Sequence, residues 1–177
     1  PELYKHAPIR DLAHMRIRVA VLPLNTLDKL MPRHGSILDF GCGHGIVSAY
    51  LAASGPERSI MGIDIDERKI RLARENPGTA LGNVTFAVFN GQYPDTKFDA
   101  IIILDVLYLM PLKSQEVLIN YAASHLNAGG TLLIKEARKS ESVKFLLGYA
   151  EEKIMTMLGL TQGGRGLFYR KQHEYVR

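Results

Sequence analysis

Residues 38–45 read Leu-Asp-Phe-Gly-Cys-Gly-His-Gly, and they decide the fold. The apolar run that leads into the first glycine is typical of a buried parallel strand, and small and apolar residues start a helix directly after the last glycine. Three glycines in five residues let the backbone turn tightly and leave space beside itself. The stretch therefore predicts a strand, a glycine turn and a helix whose free N–H groups face a ligand.

The spacing of the glycines separates two classes of ligand. The dinucleotide fingerprint is Gly-x-Gly-x-x-Gly directly after the strand. Counted from Gly41, the third glycine position holds Ile46, and counted from Gly43 it holds Ser48. The spacing departs from that fingerprint, but a nicotinamide or flavin cofactor and a turn without a ligand both stay open.

A second apolar run, residues 60–63, ends at Asp64, which lies 19 residues after Gly45. An acid at this place accepts hydrogen bonds from the ribose diol of a nucleotide. Asp66 is placed to cap the next helix, which leaves Asp64 for a ligand. The two motifs together predict a nucleoside site without deciding its chemistry.

The composition indicates a soluble globular chain. Of 177 residues, 46% are hydrophobic and 23% are charged, with a net charge of +4. No apolar run approaches the roughly 20 residues that span a bilayer, and no signal sequence is present at the start, so we expect a cytoplasmic location and no membrane partner. The single Cys42 excludes an internal disulfide. No His, Cys, Asp and Glu cluster has metal-ligand spacing, so no metal is expected.

Strands and helices alternate along the chain. Further strands are predicted over 84–89, 98–104 and 131–134, and helices over 66–75, 114–127 and 143–158. Two short helices broken at Pro23 precede the first strand. This alternation favours a parallel sheet with right-handed crossovers.

Four motifs in order, residues 39–45, 62–66, 98–108 and 126–131, resemble those of the class I S-adenosylmethionine-dependent methyltransferases. The resemblance implies an α/β, Rossmann-like, doubly wound and mostly parallel sheet in the strand order 3-2-1-4-5. The family's usual last antiparallel strand pair is expected to be missing from this chain.

We divide the chain into three parts on this basis. Residues 1–34 form an N-terminal helical lid segment, residues 35–137 form the cofactor-binding α/β core, and residues 138–177 form a C-terminal helix with a truncated tail.

The resemblance also implies the cofactor, S-adenosyl-L-methionine, with S-adenosyl-L-homocysteine as the product. Glycine-turn residues would border the methionine half, Asp64 would hold the ribose, Ile65 would lie on the adenine, and Asn90 would accept from the adenine amino group where the family often has Asp. The implied cofactor-binding set is Asp39, Gly41, Cys42, Gly43, Gly45, Asp64, Ile65, Asn90, Gly91 and Leu104.

The activity implied is methyl transfer to O, N or C of a small-molecule acceptor, with no nucleic-acid partner expected and the oligomeric state left open. Asp105 and Tyr108, near the end of the fourth strand, are the candidate catalytic residues; purely structural roles for both stay open. Arg16 or Arg18 is a candidate partner of the methionine carboxylate. The alternatives are an NAD(P)-dependent oxidoreductase and a non-catalytic nucleotide-binding module of the same fold.

Overall fold

Five strands form one parallel sheet in a computed structural model that describes residues 11–12, 15–16, 18–19, 22–75, 82–136 and 168. The strands are β1 (Gly35–Phe40), β2 (Arg58–Asp64), β3 (Val84–Val88), β4 (Phe98–Leu104) and β5 (Leu126–Lys135). They lie in the order β3-β2-β1-β4-β5. The Rossmann-like α/β class and the strand order predicted from the sequence are confirmed.

Helices cover both faces of the sheet. They are α1 (Leu24–Leu30), α2 (Ile46–Ser54), α3 (Glu67–Arg74) and α4 (Leu112–Ser124), with a 3₁₀ turn at Leu107–Leu109. Ile37 of β1 packs in a cluster with residues of α1, α2 and α3, whereas its neighbour Leu38 packs in a second cluster with residues of α4. The central strands are apolar on consecutive residues because each face has its own cover.

A buried arginine at the amino end of β2 ties α1 to the sheet. Arg58 is 1% exposed; its Nη1 donates to Asp28 Oδ1 at 2.6 Å and its Nε donates to the Pro32 carbonyl at 2.8 Å. The Arg58 guanidinium, together with the Ser54 hydroxyl, lowers the pKa of Asp28 to about 2. This network fixes the segment before β1 at the end of the sheet opposite the glycine turn.

The last described strand differs from its prediction. The predicted helix over 114–127 ends at Ser124, and β5 begins at Leu126 rather than at residue 131. Phe98 pairs with Leu126 whereas Ala100 pairs with Thr131, so the intervening residues of β5 bulge. The prediction used the apolar run that begins at residue 131, and the bulged residues before it include Gly129 and Gly130, which carry no apolar side chain.

Other expectations fall outside the described residues. These are the helix over 143–158, the C-terminal part 138–177 apart from residue 168, and the missing strand pair. The division of the chain into three parts stays a prediction. None of the helices that the structure describes is long and apolar enough to cross a membrane.

Candidate functional site

The glycine turn after β1 bends sharply against the end of β2. Gly41, Gly43 and Gly45 have φ values of 77°, 55° and 72°, in the left-handed region that favours glycine. The N–H groups of Gly41 and Cys42 both donate to the Ile63 carbonyl, at 2.7 and 3.0 Å, and the Gly45 N–H donates to the Cys42 carbonyl. Those three donors are used within the protein, so the N–H groups of Gly41, Cys42 and Gly45 are not available to a ligand.

The three glycines make space for different neighbours. A Cβ at Gly41 would lie 2.3 Å from Val106 Cγ2, and one at Gly45 would lie 2.5 Å from Phe86 Cζ. A Cβ at Gly43 would meet nothing within 4 Å. Two of the glycines therefore permit close packing, and Gly43 borders open space.

That open space belongs to a cavity at the carboxyl ends of the strands. Its volume is about 490 Å³, within the range of small-ligand sites. It lies where β2 and β4 flank β1, which is the switch point of the sheet. Of the residues predicted for the site, those that line it are Arg18, Gly41, Cys42, Gly43, Asp64, Ile65, Leu104, Asp105 and Tyr108.

The Asp64 carboxylate faces the glycine turn. Its Oδ2 accepts the Gly43 N–H at 2.8 Å, and its Oδ1 accepts the Asp66 N–H at 2.8 Å. Each carboxylate oxygen keeps a lone pair for a further donor. Asp66 itself accepts from the Lys69 N–H at 3.2 Å and caps α3, as predicted. Asp64 is thus held rigidly at the mouth of the cavity with acceptor capacity to spare.

Asp39 lies behind the cavity wall rather than in it. It is 2% exposed, and its Oδ2 accepts the Ser48 hydroxyl at 2.6 Å. Burial raises the pKa of Asp39 to about 6, and the Asp64 charge adds to that rise. The carboxyl ties β1 to α2 beneath the glycine turn.

Three other predicted residues, Gly45, Asn90 and Gly91, do not line the cavity. Asn90 and Gly91 are exposed, and the Asn90 Oδ1 accepts the Gln92 N–H at 3.1 Å. Phe89 lines the cavity at this place instead and packs edge-on against Phe40, with ring centroids 5.1 Å apart. The resemblance to the family does not predict a role for Phe89, because no motif spacing fixes which residue of the loop after β3 faces the cavity.

Asp105 has an unusual backbone. Its φ of 57° is the one positive value at a non-glycine residue in the described part of the chain. Its carboxylate accepts from Lys135 Nζ at 2.7 and 2.9 Å and lies 3.7 Å from Arg18 Nη2. Strained residues with fixed partners cluster at functional sites. The arrangement brings Arg18, from the N-terminal segment, to the cavity.

Tyr108 lies in the turn after β4. It is 5% exposed, its N–H lies 3.4 Å from Glu136 Oε2, and its carbonyl accepts the Phe168 N–H at 2.6 Å. Glu136 was missed because it follows β5 with no motif around it.

A buried side chain of the glycine turn contacts the N-terminal segment. His44 is 3% exposed, and its Nε2 lies 3.2 Å from Asp11 Oδ1, which Arg68 also contacts. Burial lowers the pKa of His44, and the Lys69 charge adds to this. Burial also raises the pKa of the Cys42 thiol well above its usual range, with the Asp39 charge adding, which opposes a nucleophilic role.

Two curated relatives are named for components of the ribosome. The chain is 32% identical over 145 residues to ribosomal RNA small subunit methyltransferase C of Acinetobacter baylyi, which is 75% of this chain and 40% of that protein. It is 31% identical over 113 residues to ribosomal protein L11 methyltransferase of Chromobacterium violaceum, which is 64% of this chain and 36% of that protein. The chain spans about two-fifths or less of the length of these relatives.

The names of these relatives correct the acceptor that we expected. We expected a small-molecule acceptor and no nucleic-acid partner, whereas the relatives are named for an RNA and a protein. The expectation is therefore wrong. Its physical reason is that the glycine and acid motifs border the cofactor side of the cavity, and nothing in their spacing depends on the acceptor.

The similarity to one solved structure and to one protein family extends over most of the chain. Magnesium protoporphyrin IX methyltransferase from Synechocystis PCC 6803, solved with bound S-adenosylhomocysteine, is 25% identical with a TM-score of 0.62, covering 93% of this chain and 70% of that chain. Residues 12–173 match the sequence model of a protein family described as a methyltransferase domain. Because that match spans nearly the whole sequence and the sheet has the strand order that the resemblance implies, this chain belongs to the class I S-adenosylmethionine-dependent methyltransferases.

Proposed function

We propose that this chain binds S-adenosylmethionine in the cavity beside the glycine turn. The observation that carries the proposal is the Asp64 carboxylate, which the Gly43 N–H holds at 2.8 Å while both oxygens keep lone pairs for the ribose hydroxyls. The space beside Gly43, which a Cβ would enter without meeting an atom within 4 Å, supports a ligand lying along the turn. These residues fit a nucleoside that carries a longer substituent.

The remaining walls suit the two ends of such a ligand. Ile65 is 52% exposed at the nucleoside end and offers an apolar surface to a base. Leu104, Tyr108 and Leu109 line the opposite end. Since β2 and β4 lie on either side of β1, a nucleoside at Asp64 directs the rest of the ligand past Gly41 toward these residues.

S-adenosylmethionine supplies a sulfonium methyl group that is transferred to a nucleophilic atom. The contribution of this chain is then alignment and exclusion of water, because well-oriented reactants gain about 7–11 kcal/mol from proximity alone. The apolar wall at Leu104 and Leu109 excludes water from the reacting end. Asp105 and Tyr108 are the proposed groups that orient the acceptor there, at the edge where Arg18 also lies.

For the acceptor, we propose a macromolecule of the ribosome. The support is the pair of relatives named for ribosomal RNA and for ribosomal protein L11.

Calorimetric titration tests the cofactor. We expect saturable binding of S-adenosylhomocysteine and none of NAD at the same concentrations. Asp64→Asn keeps the size of the side chain, but its amide nitrogen faces the N–H of either Gly43 or Asp66. We expect this variant to bind S-adenosylhomocysteine at least about tenfold more weakly, which corresponds to 1.4 kcal/mol. Binding of NAD in preference to S-adenosylhomocysteine would reverse the proposal in favour of an oxidoreductase.

Transfer of a labelled methyl group tests the acceptor. The chain is incubated with ribosomes and S-adenosylmethionine labelled in the methyl group, and the product is then treated with ribonuclease or protease. We expect one of the two treatments to release the label. Label in neither polymer, with the cofactor bound, would contradict a ribosomal acceptor and leave the cofactor proposal intact.

A further inference from the structure

The turn after β4 forms the wall of the cavity that faces Asp64 across the end of β1. Val106, Tyr108 and Leu109 all line the cavity. Val106 also packs on the glycine turn, since a Cβ at Gly41 would lie 2.3 Å from its Cγ2. A displacement of this turn would therefore change both the cavity and the packing beside the first glycine.

The side chain of Glu136, which lies outside the cavity, accepts hydrogen bonds from the main chain of this turn. The Oε1 of Glu136 accepts the N–H groups of Val106 and Leu107, at 2.9 and 2.8 Å, and its Oε2 faces the Tyr108 N–H at 3.4 Å. Successive N–H groups at the start of a helical turn have no acceptor within the turn, so the carboxylate satisfies donors that would otherwise be unpaired. Glu136 is not among the residues that line the cavity.

A second brace acts on the other end of the same turn. The Gln115 side chain is fully buried, and its Nε2 donates to the Met110 carbonyl at 3.0 Å and to the Phe168 carbonyl at 2.9 Å. The Phe168 N–H donates to the Tyr108 carbonyl at 2.6 Å. Glu136 thus fixes the N–H side of the turn while Gln115 and Phe168 fix its carbonyl side.

We propose that Glu136 is a positioning residue, which acts on the amino-acid end of the bound ligand through the turn and not by contact. The inference rests on the proposed function, because that function places the nucleoside at Asp64 and the remainder of the ligand at the turn. The nucleoside end is bordered by β2 and does not depend on Glu136. Loss of this side chain therefore affects the two ends of the ligand unequally.

The test compares two probes on three forms of the full chain. The wild type, Glu136→Ala and Glu136→Gln are titrated with S-adenosylhomocysteine and with adenosine, which lacks the amino-acid end. Burial raises the pKa of Glu136 to about 7, and the Asp105 charge adds to the rise, so the titrations are made at pH 8 where the carboxylate is ionised. Glu57→Gln, on an exposed side chain at the opposite end of the sheet, is the charge control.

We expect Glu136→Ala to weaken S-adenosylhomocysteine about tenfold, the size of effect that unpaired N–H groups produce, and to change adenosine less than about twofold. Glu136→Gln keeps an oxygen for Val106 and Leu107, so we expect it to restore most of the lost affinity. It also folds without unpaired donors at those two residues, which keeps the test valid if the alanine variant unfolds.

Equal weakening of both probes, or no change in either, overturns the positioning role. A glutamine variant as weak as the alanine variant also overturns it, because the retained hydrogen bonds would then have no effect. Wild-type protein that binds neither probe refutes the proposed function, and the inference falls with it. Wild type that binds both probes while the variants fail to separate them refutes the inference alone.

Discussion

Gly43→Ala separates the folding role of the glycine turn from its proposed role in binding. Gly43 has a φ of 55°, and a Cβ there would meet nothing within 4 Å. The left-handed conformation costs an alanine roughly 1–2 kcal/mol. The smaller conformational freedom of the unfolded variant offsets about 0.4–1 kcal/mol of that cost. We therefore expect the free energy of unfolding, measured with urea, to fall by about 1 kcal/mol.

The effect on binding is expected to be larger than the effect on folding. The added methyl group enters the open space along the turn, where the proposed ligand lies. We expect the affinity for S-adenosylhomocysteine, measured by calorimetric titration, to fall at least about tenfold, which is 1.4 kcal/mol. Wild-type affinity in Gly43→Ala would refute the reasoning, because the ligand would then not pass along the turn.

Gly41→Ala is the matched control, with the same change two residues away. Its φ is 77°, and its Cβ would lie 2.3 Å from Val106 Cγ2. Overpacking of this kind adds about 1–3 kcal/mol to the cost of the left-handed conformation. We expect Gly41→Ala to be less stable than Gly43→Ala, and Val106→Ala in the double variant to restore part of the loss. Equal stability of the two single variants would contradict the packing argument.

Three further predictions concern two residues near the site and the ion pair at the opposite end of the sheet. Asp39 holds its proton more tightly in the folded protein than in the unfolded chain, because its pKa is raised to about 6. The free energy of unfolding of the wild type, measured with urea relative to Asp39→Asn, which keeps an acceptor for Ser48, should therefore fall by up to about 3 kcal/mol between pH 4 and pH 7. Parallel pH curves for the two proteins would contradict a buried carboxyl. Arg58→Leu should lower the free energy of unfolding by about 3–5 kcal/mol, since it leaves a buried ion pair broken. It should also remove the stability that Asp28, with its pKa of about 2, contributes above pH 4 and loses as the pH falls toward 2, and a variant with the acid profile of the wild type would count against this pairing. Asp105→Gly should be more stable than Asp105→Ala by about 1 kcal/mol in urea unfolding, because the φ of 57° favours glycine. Both variants lose the same ion pairs, so the difference reports the backbone conformation. The reverse order of stability would show that the backbone relaxes in the variants.

Patterns within short stretches of sequence predicted the framework of this protein. The apolar run before Gly41 predicts the first strand, and the distance from the glycines to Asp64 predicts an acid beside the turn. In the structure the Gly43 N–H donates a hydrogen bond to Asp64. The cap at Asp66 was predicted for the same reason, since capping is local to four residues. The cap depends on neighbours in the chain, and the Asp64 contact depends on the regular spacing of a strand-helix-strand unit.

Contacts between distant segments were not predictable in this way. Glu136 meets the turn at Val106 across 30 residues, and Asp11 meets His44 across 33 residues. No periodicity or spacing rule relates such pairs. Phe89 replaces Asn90 at the cavity for a similar reason, because the direction of a loop after a strand is set by its packing on Phe40.

The central claim is that the glycine turn and Asp64 together bind the nucleoside cofactor. Its most direct test is a titration of isotope-labelled protein with S-adenosylhomocysteine, followed by amide chemical shifts. The account predicts saturable shifts concentrated at residues 41–45 and 63–65, with smaller shifts at 106–109. Saturable shifts confined to other parts of the chain, or none at millimolar ligand, would contradict it.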